Sequence, residues 1–260
     1  MRNIVTLTRK ELHSYFQSPM AYVVTAVFLV VSGFIFFLNF TAFYNASLEV
    51  SRNPYLMEHY KLNVTEHVLE PMVFTLNFLS LLMIPMLTMR AMAEEKKTGT
   101  IEMLLTYPVR DVDVALSKFL ACFIVYVCMI ALTLVYPLLT SRFADVEIAS
   151  VATGYAGLLL AGAAFVSLGV FISSMTENQI VAVAVSYGFF LVFWLLGASE
   201  ARVPEPYDAI LTDLSLFKHI EDFGRGVLDT HDLVYYLNFT VLFMFLTLRS
   251  LEVIKWKGKA

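Results

Sequence analysis

The segment from Met20 to Phe43 reads MAYVVTAVFLVVSGFIFFLNFTAF and contains no Asp, Glu, Lys, Arg or His. A helix that crosses the hydrocarbon layer of a bilayer needs about 20 consecutive, mostly apolar residues, and this segment supplies them. Its apolar run exceeds the roughly 7–15 residues of a secretory signal sequence, and no small-x-small cleavage pattern follows it. The segment is therefore predicted to be a transmembrane helix that is retained.

Further segments of the same character follow along the chain. They are Pro71–Met89, Phe119–Thr140, Ser150–Ile172, Gln179–Ala198 and Leu233–Leu248. The composition agrees with this interpretation: 58% of the residues are hydrophobic, 15% are charged, and the mean hydropathy is +0.71. An average soluble domain has roughly 45–50% apolar and about 25% charged residues. We predict an all-α polytopic membrane protein in which six transmembrane helices form a single domain over residues 1–260.

Basic residues indicate the orientation of these spans, because Lys and Arg accumulate in the cytoplasmic loops of membrane proteins. With the N-terminus inside, twelve of the 18 Lys and Arg residues lie in inner segments, whereas fourteen of the 22 acidic residues lie in outer segments. Both termini are therefore predicted to be cytoplasmic, and the protein is predicted to be a multi-pass protein of the cell (inner or plasma) membrane.

Residues 2–18 precede the first span and have the pattern of an amphipathic helix. On a helical wheel the apolar side chains from Ile4 to Phe16 share one half, and only Thr8 and Glu11 interrupt them. We expect an interfacial helix in the inner headgroup layer. Two roles remain open: an anchor that tilts the first span, or an additional docking surface for a cytosolic partner.

Residues 90–118 form the most polar inner segment, between the second and third spans. Gly99 and Pro108 predict a helix, a short helix over Thr100–Thr106, and a third helix with Asp111 as its N-cap. The short helix would hold apolar side chains outside the bilayer, where they lie either on lipid headgroups or on another protein. These side chains are Ile101, Leu104 and Leu105.

Residues 199–232 form the longest of the three outer segments. Apolar residues recur there at three-residue spacing, at Leu214, Phe217, Ile220 and Phe223. This spacing predicts a short amphipathic helix that covers the outer mouth of the bundle.

The sequence contains no recognisable catalytic or metal-binding motif. The predicted spans lack Asp, Glu, Lys, Arg and His, and the five histidines are dispersed without metal-ligand spacing, so we interpret each as a solvated loop residue. No G-x-x-x-x-G-K-[ST] phosphate-binding loop occurs. The chain is predicted not to be an enzyme and to hold no cofactor, so that any ATP is bound by a partner subunit. The net charge of −4 gives no support for nucleic-acid binding.

The inner segment Met92–Asp111 reads MAEEKKTGTIEMLLTYPVRD. It resembles the membrane subunits, or permeases, of type-2 ABC exporters (the ABC-2 type), which carry an A-E-E-x-x-x-G-T-I-E-x-L-L-T-x-P-V motif between their second and third spans. Other stretches resemble the gliding-motility-type branch of bacterial ABC-2 permeases. These stretches are Ile172–Gln179, Ser215–Phe223 and Phe223–Asp229.

This resemblance implies the ABC-2 exporter fold, a six-span half-channel that pairs with a second permease, identical or not, in the membrane lipid. Each half would sit on a cytosolic ABC nucleotide-binding subunit, and the complex can also include an accessory membrane or periplasmic subunit. The short inner helix would be the coupling helix, supported by the N-terminal helix. The resemblance implies the following contacts with the ATPase subunit: Arg9, Lys10, Glu11, Glu94, Glu95, Thr100, Ile101, Glu102, Leu105 and Thr106.

The leading hypothesis is the permease subunit of an ATP-driven exporter, in which a separate subunit hydrolyses ATP and moves the coupling helices, so that the spans switch between inward and outward openings. The alternative is a non-transporting membrane scaffold that transmits the ATPase state to an extracytoplasmic partner. The transported substrate is not indicated. Glycines at 154, 157, 162 and 169 permit close helix approach, either between two permeases or within one.

Overall fold

The computed structural model describes residues 2–52, 63–100, 110–198 and 214–257, and every regular element in these ranges is a helix. The helices are α1 (Arg2–Gln17), α2 (Pro19–Arg52), α3 (Glu70–Thr88), α4 (Ala93–Lys97), α5 (Asp111–Leu132), α6 (Val135–Thr140), α7 (Ile148–Met175), α8 (Gln179–Ala198), α9 (His219–Gly224) and α10 (Thr230–Lys257). A π-helical turn, Thr65–Leu69, leads directly into α3.

Six helical segments are long and apolar enough to cross a membrane, which confirms the predicted all-α membrane architecture. They are Pro19–Arg52, Thr65–Lys97, Asp111–Thr140, Ile148–Met175, Gln179–Gly197 and Thr230–Val253.

The helix α2 is longer than the sequence analysis predicted. It continues from Phe43 to Arg52 through a more polar stretch, because this stretch contains neither Pro nor Gly to end the helix. Its 34 residues extend about 50 Å at about 1.5 Å per residue. The helix therefore projects beyond a hydrocarbon layer of about 30 Å.

The helix α7 lies at the centre of the bundle, where α3, α5, α8, α9 and α10 pack against it. Its glycines make these contacts close. A Cβ added at Gly162 would lie 2.0 Å from the ring of Tyr126 on α5, and one at Gly157 would lie 2.5 Å from a side chain of α9. Gly154 and Gly169 face α3 in the same way. These four glycines therefore pack helices within one chain.

The outer helices α2, α8 and α10 leave a large apolar surface. Only 22%, 17% and 22% of the residues in their most apolar stretches are buried within the chain. Exposed Phe34, Val192 and Val241 are examples of this surface. Such side chains are suited to contact with lipid tails or with a second membrane subunit.

The helix α1 packs along the first part of α5, and its protein-facing side differs from the wheel prediction. Thr8 is buried and Glu11 contacts α5, although the wheel treated both as interruptions. Leu12 packs on the core, whereas Val5 and Phe16 are exposed. The side that faces the protein is thus a narrow stripe that includes polar residues.

The boundary of α5 also differs from the prediction. The helix begins at Asp111, and Arg110 occupies the N-cap position with an extended backbone (φ −78°, ψ 146°). Asp111 and Asp113 lie in the first turn, where carboxylates interact favourably with the helix dipole. The predicted short helix lies outside the described residues except for Thr100.

Candidate functional site

Lys118 is the centre of a buried charge cluster at the end of the bundle that carries α1, here called the N-terminal end. Its ammonium donates hydrogen bonds to Glu11 of α1 at 2.9 Å and to Glu95 of α4 at 2.6 Å, and only 4% of its side chain is exposed. A buried ammonium needs such partners, because removing them leaves a charge in a poorly solvated place. Lys118 therefore joins α1, α4 and α5.

Arg90 fixes the neighbouring residue Glu94. Its Nε and Nη2 donate to the two carboxylate oxygens of Glu94 at 2.8 and 3.3 Å. Its Nη1 donates to the hydroxyl of Ser18 at 2.6 Å, in the junction between α1 and α2. A guanidinium that binds a carboxylate through two nitrogens restricts both side chains, so Arg90 connects the start of α4 to that junction.

Tyr15 anchors α1 to the bundle. Its phenol donates a hydrogen bond to the carbonyl of Leu87 at 2.8 Å and lies 3.0 Å from the sulfur of Cys122, which leaves the thiol as donor in the second contact. Burial raises the pKa of the Tyr15 phenol well above its ordinary value. The phenol therefore keeps its proton and remains a donor throughout the physiological pH range.

Ser173 near the end of α7 caps α4 from another part of the chain. Its hydroxyl oxygen accepts hydrogen bonds from the backbone N–H groups of Met92 and Ala93, each at 3.1 Å, and its hydroxyl donates to the carbonyl of Met89 at 3.0 Å. The N-cap residue of α4 makes no side-chain cap of its own. Ser173 thus satisfies N–H groups that a helix start leaves without helical partners.

Ser174 connects the same region to α10. Its carbonyl accepts hydrogen bonds from the ammonium of Lys96 and, at 3.1 Å, from the hydroxyl of Ser250. The short helix α4 is therefore held from several sides. Lys118 of α5 and the end of α7 hold α4 directly, and α1 contributes through Glu11, which shares Lys118 with Glu95.

A cleft of about 410 Å³ opens beside the charge cluster at the N-terminal end. Several residues implied in the ATPase contact line it, namely Lys10, Glu11, Glu94, Glu95 and Thr100. The carboxylate oxygen Oε2 of Glu95 is buried and has no hydrogen-bond partner among the described residues. The cleft is thus lined by basic, acidic and uncharged polar side chains.

The remaining residues of the implied contact are placed as follows. Arg9 is exposed on α1 and lies outside this cleft. Thr100 is exposed and follows Gly99, whose φ of +69° favours glycine. The other implied residues lie outside the described part of the chain; they are Ile101, Glu102, Leu105 and Thr106.

Sequence reasoning missed Lys118 and Ser173 as parts of this site. The signal for Lys118 was its position directly before an apolar run, where a charge needs either the headgroup layer or an ionic partner. Ser173 belongs to the stretch Ile172–Gln179, to which the resemblance drew attention without a role. Its role depends on a contact with the distant helix α4.

A second polar cluster lies at the opposite end of the bundle, and it corrects one sequence interpretation. His219 is 5% exposed and its Nδ1 lies 2.6 Å from a carboxylate oxygen of Asp232, so it is not a solvated loop residue. Its ring stacks on Tyr235 with 4.0 Å between centroids. His231, by contrast, is exposed. Ile220 and Phe223 of α9 are fully buried.

The family model described as "ABC-2 family transporter protein" matches residues 39–210, which is more than half of the chain. The chain belongs to this family. It is a multi-pass membrane protein and the permease component of an ABC transporter. Permeases of the ABC-2 family normally work with an ATP-binding subunit and dimerise. The comparison with curated proteins found no match.

The matched region of this ABC-2 permease includes the whole predicted coupling segment and Lys118. It leaves out α1, and it also leaves out α9 and α10. Glu11 and the cluster around His219 are therefore properties of this chain that the family match does not describe.

Proposed function

We propose that this permease couples ATP hydrolysis by a separate nucleotide-binding subunit to the export of a substrate. The N-terminal end of the bundle would be the coupling site. The observation that carries the proposal is the Lys118 cluster, in which Lys118 joins Glu11 of α1 and Glu95 of α4 to α5. Of these helices, α4 precedes residues 101–109 and α5 follows them. A push on that segment would reach α1 and α5 through buried ionic contacts.

The contact surface would consist of the cleft and the segment that follows it. Arg9, Lys10 and Glu94 would meet charged groups of the ATPase subunit, and the apolar residues Ile101 and Leu105 would enter a groove. Glu95 and Glu11 would act from beneath this surface, because Lys118 engages both. The remaining implied residues, Thr100, Glu102 and Thr106, would complete the contact.

The proposed orientation places the N-terminal end in the cytoplasm of a cell membrane. The excess of Lys and Arg in the corresponding segments supports this placement. The exposed apolar faces of α2, α8 and α10 support pairing with a second permease. The stretches around His219 support the gliding-motility-type branch, in which an accessory subunit can contact the outer face.

Inverted membrane vesicles provide the test of this function. Cells that express the permease with the nucleotide-binding subunit that co-purifies with it would supply vesicles whose cytoplasmic face is outside. We expect ATP to drive at least one compound of the cell extract into the lumen, detected by untargeted mass spectrometry. Vesicles with a hydrolysis-deficient nucleotide-binding subunit would be the control and should accumulate nothing in response to ATP.

The same experiment distinguishes the scaffold alternative. If the complex hydrolyses ATP but no compound differs between active and hydrolysis-deficient vesicles, the export function is wrong. If no nucleotide-binding subunit co-purifies with the intact permease from its own cells, the coupling proposal fails at its first step.

A further inference from the structure

The turn between α9 and α10 brings together residues that are separated in sequence. Gly226 in this turn has φ +87°, which favours glycine, and an added Cβ would lie 2.6 Å from the hydroxyl oxygen of Ser150 on α7. The chain then reverses and enters α10 at Thr230. As a result, His219 at the start of α9 meets Asp232 in the first turn of α10.

Nitrogen and oxygen donors converge at this point. Nδ1 of His219 is 2.6 Å from Oδ1 of Asp232, and Nδ1 of His231 is 3.8 Å from the same oxygen. One potential ligand atom from each of the three residues lies within 4.8 Å of the others. Asp222 and Asp229 form a second such group with Asp232, so the Asp232 carboxylate is common to both.

The Asp232 carboxylate is only partly satisfied by these neighbours. Its side chain is 7% exposed, and its Oδ2 is buried without a hydrogen-bond partner among the described residues. A buried carboxylate oxygen without a partner is unfavourable. The ion pair with His219 uses only the other oxygen, Oδ1, so it does not account for the buried Oδ2. It also does not account for the presence of His231 and of two further aspartates beside Asp232.

We propose that His219, His231 and Asp232 bind a transition-metal cation, for which Zn²⁺ is the best fit. Two imidazoles and one carboxylate are typical ligands of Zn²⁺, whereas Mg²⁺ and Ca²⁺ prefer oxygen ligands alone. Donors on a tetrahedral Zn²⁺ lie about 3.3 Å apart, given bonds of about 2.0 Å. The 2.6 Å contact is a hydrogen bond that the metal would replace, and both observed separations, 2.6 and 3.8 Å, lie within about 1 Å of the tetrahedral value.

The surroundings suit a structural metal that joins α9 to α10. The ring of Tyr235 stacks on His219 and restricts the orientation of the imidazole. His231 has a side chain that is 64% exposed, so its ring can rotate onto the metal without disturbing the core. Asp222 and Asp229 would add negative charge nearby, and one of them or a water would take the fourth position.

The test uses the purified full-length permease, carrying a purification tag without histidine. We expect isothermal titration to show one Zn²⁺ per chain, no comparable binding of Mg²⁺, and a rise of several degrees in Tm with saturating Zn²⁺. With Co²⁺ as the probe, the bound metal should give the intense visible absorption of a tetrahedral nitrogen and oxygen site.

Matched variants decide whether these residues are the ligands. His231→Ala removes an exposed side chain and should fold normally, weaken Zn²⁺ binding at least tenfold and abolish the Co²⁺ band. Asp232→Asn should have the same effect on binding. His67→Ala, which removes another exposed histidine, should leave both signals unchanged. The proposal would be overturned if the His231→Ala variant folds and binds Zn²⁺ as tightly as the unmodified protein. It would also be overturned if the unmodified protein shows no saturable Zn²⁺ binding.

Discussion

Lys118 of α5 and Glu95 of α4 form a buried ion pair, with 2.6 Å between the ammonium nitrogen and the nearest carboxylate oxygen. Glu11 of α1 binds the same ammonium from the other side at 2.9 Å. The two contacts connect the N-terminal helix to the segment that enters the proposed coupling site. Displacement of one of these helices would leave charge buried without a partner, so the three elements should move as a unit.

The first prediction concerns the charge of this cluster. Lys118→Met leaves two mostly buried carboxylates unpaired and should destabilise the permease by about 3–5 kcal/mol. Thermal unfolding of the purified protein in detergent would measure this loss. The exposed residue Lys97 offers a matched control, and Lys97→Met should unfold close to the wild-type temperature.

A triple variant separates charge from packing at the same site. Glu11→Gln, Glu95→Gln and Lys118→Met together remove all three charges, and we expect most of the lost stability to return. A triple variant as unstable as Lys118→Met alone would contradict the ionic explanation, because no unpaired charge then remains.

The second prediction concerns the cap that α7 provides to α4. Ser173→Ala removes the acceptor of two backbone N–H groups and should cost about 1–3 kcal/mol. Ser167→Ala is the control. Among the described residues, this buried serine of the same helix bonds only to the carbonyl of Ala164 within its own helix. If both variants unfold at the same temperature, the cap contributes nothing specific to α4.

The third prediction concerns the close approach of α7 and α5. Gly162→Ala would place a methyl group 2.0 Å from the Tyr126 ring, and overpacking of this kind costs about 1–3 kcal/mol or more. A lower Tm in detergent is expected. A Cβ added at Gly188 on α8 has no atom of the described residues within 4 Å, apart from its own helix backbone. Gly188→Ala should therefore not lower the Tm, since Ala favours a helix over Gly. Equal behaviour of the two variants would contradict this packing.

The fourth prediction concerns the coupling segment. Glu102→Lys, or Ile101→Asp with Leu105→Asp, should weaken retention of the nucleotide-binding subunit well over tenfold, because loss of a buried interfacial partner costs about 2–5 kcal/mol and about 1.4 kcal/mol is tenfold. Pull-down and ATPase assays of the co-expressed pair would measure this. Glu252→Lys, a charge reversal at a partly exposed site near the end of α10, should retain the subunit. If these variants retain the nucleotide-binding subunit as the unmodified permease does, residues 101–105 are an ordinary solvated segment and not a docking site.

The sequence predicted the six spans well because each depends on a local property, a long run without charge. It predicted their ends less well, since α2 continues through polar residues after Phe43 that contain nothing to break a helix. On the helical wheel Glu11 interrupts the apolar half of α1, whereas in the structure it is an ionic partner of Lys118. That contact depends on how α1 lies against α5, which no periodicity within α1 encodes.

The cluster of His219 and Asp232 at the opposite end could not be predicted from the sequence either, because it also depends on a tertiary contact. His219 and Asp232 lie on separate helices, and their spacing matches no local metal motif. Only the turn at Gly226 brings them to hydrogen-bond distance. Local patterns therefore predicted the helices, whereas both polar clusters required the tertiary contacts.

Photocrosslinking from Thr100 tests the proposed coupling role most directly. A photoreactive amino acid at this exposed position should crosslink to the nucleotide-binding subunit in the active complex, and the same amino acid at Phe143, 76% exposed near the opposite end, should not. The absence of a crosslink at Thr100 together with a crosslink at Phe143 would show that the ATPase subunit binds the other end of the bundle, contrary to the proposal.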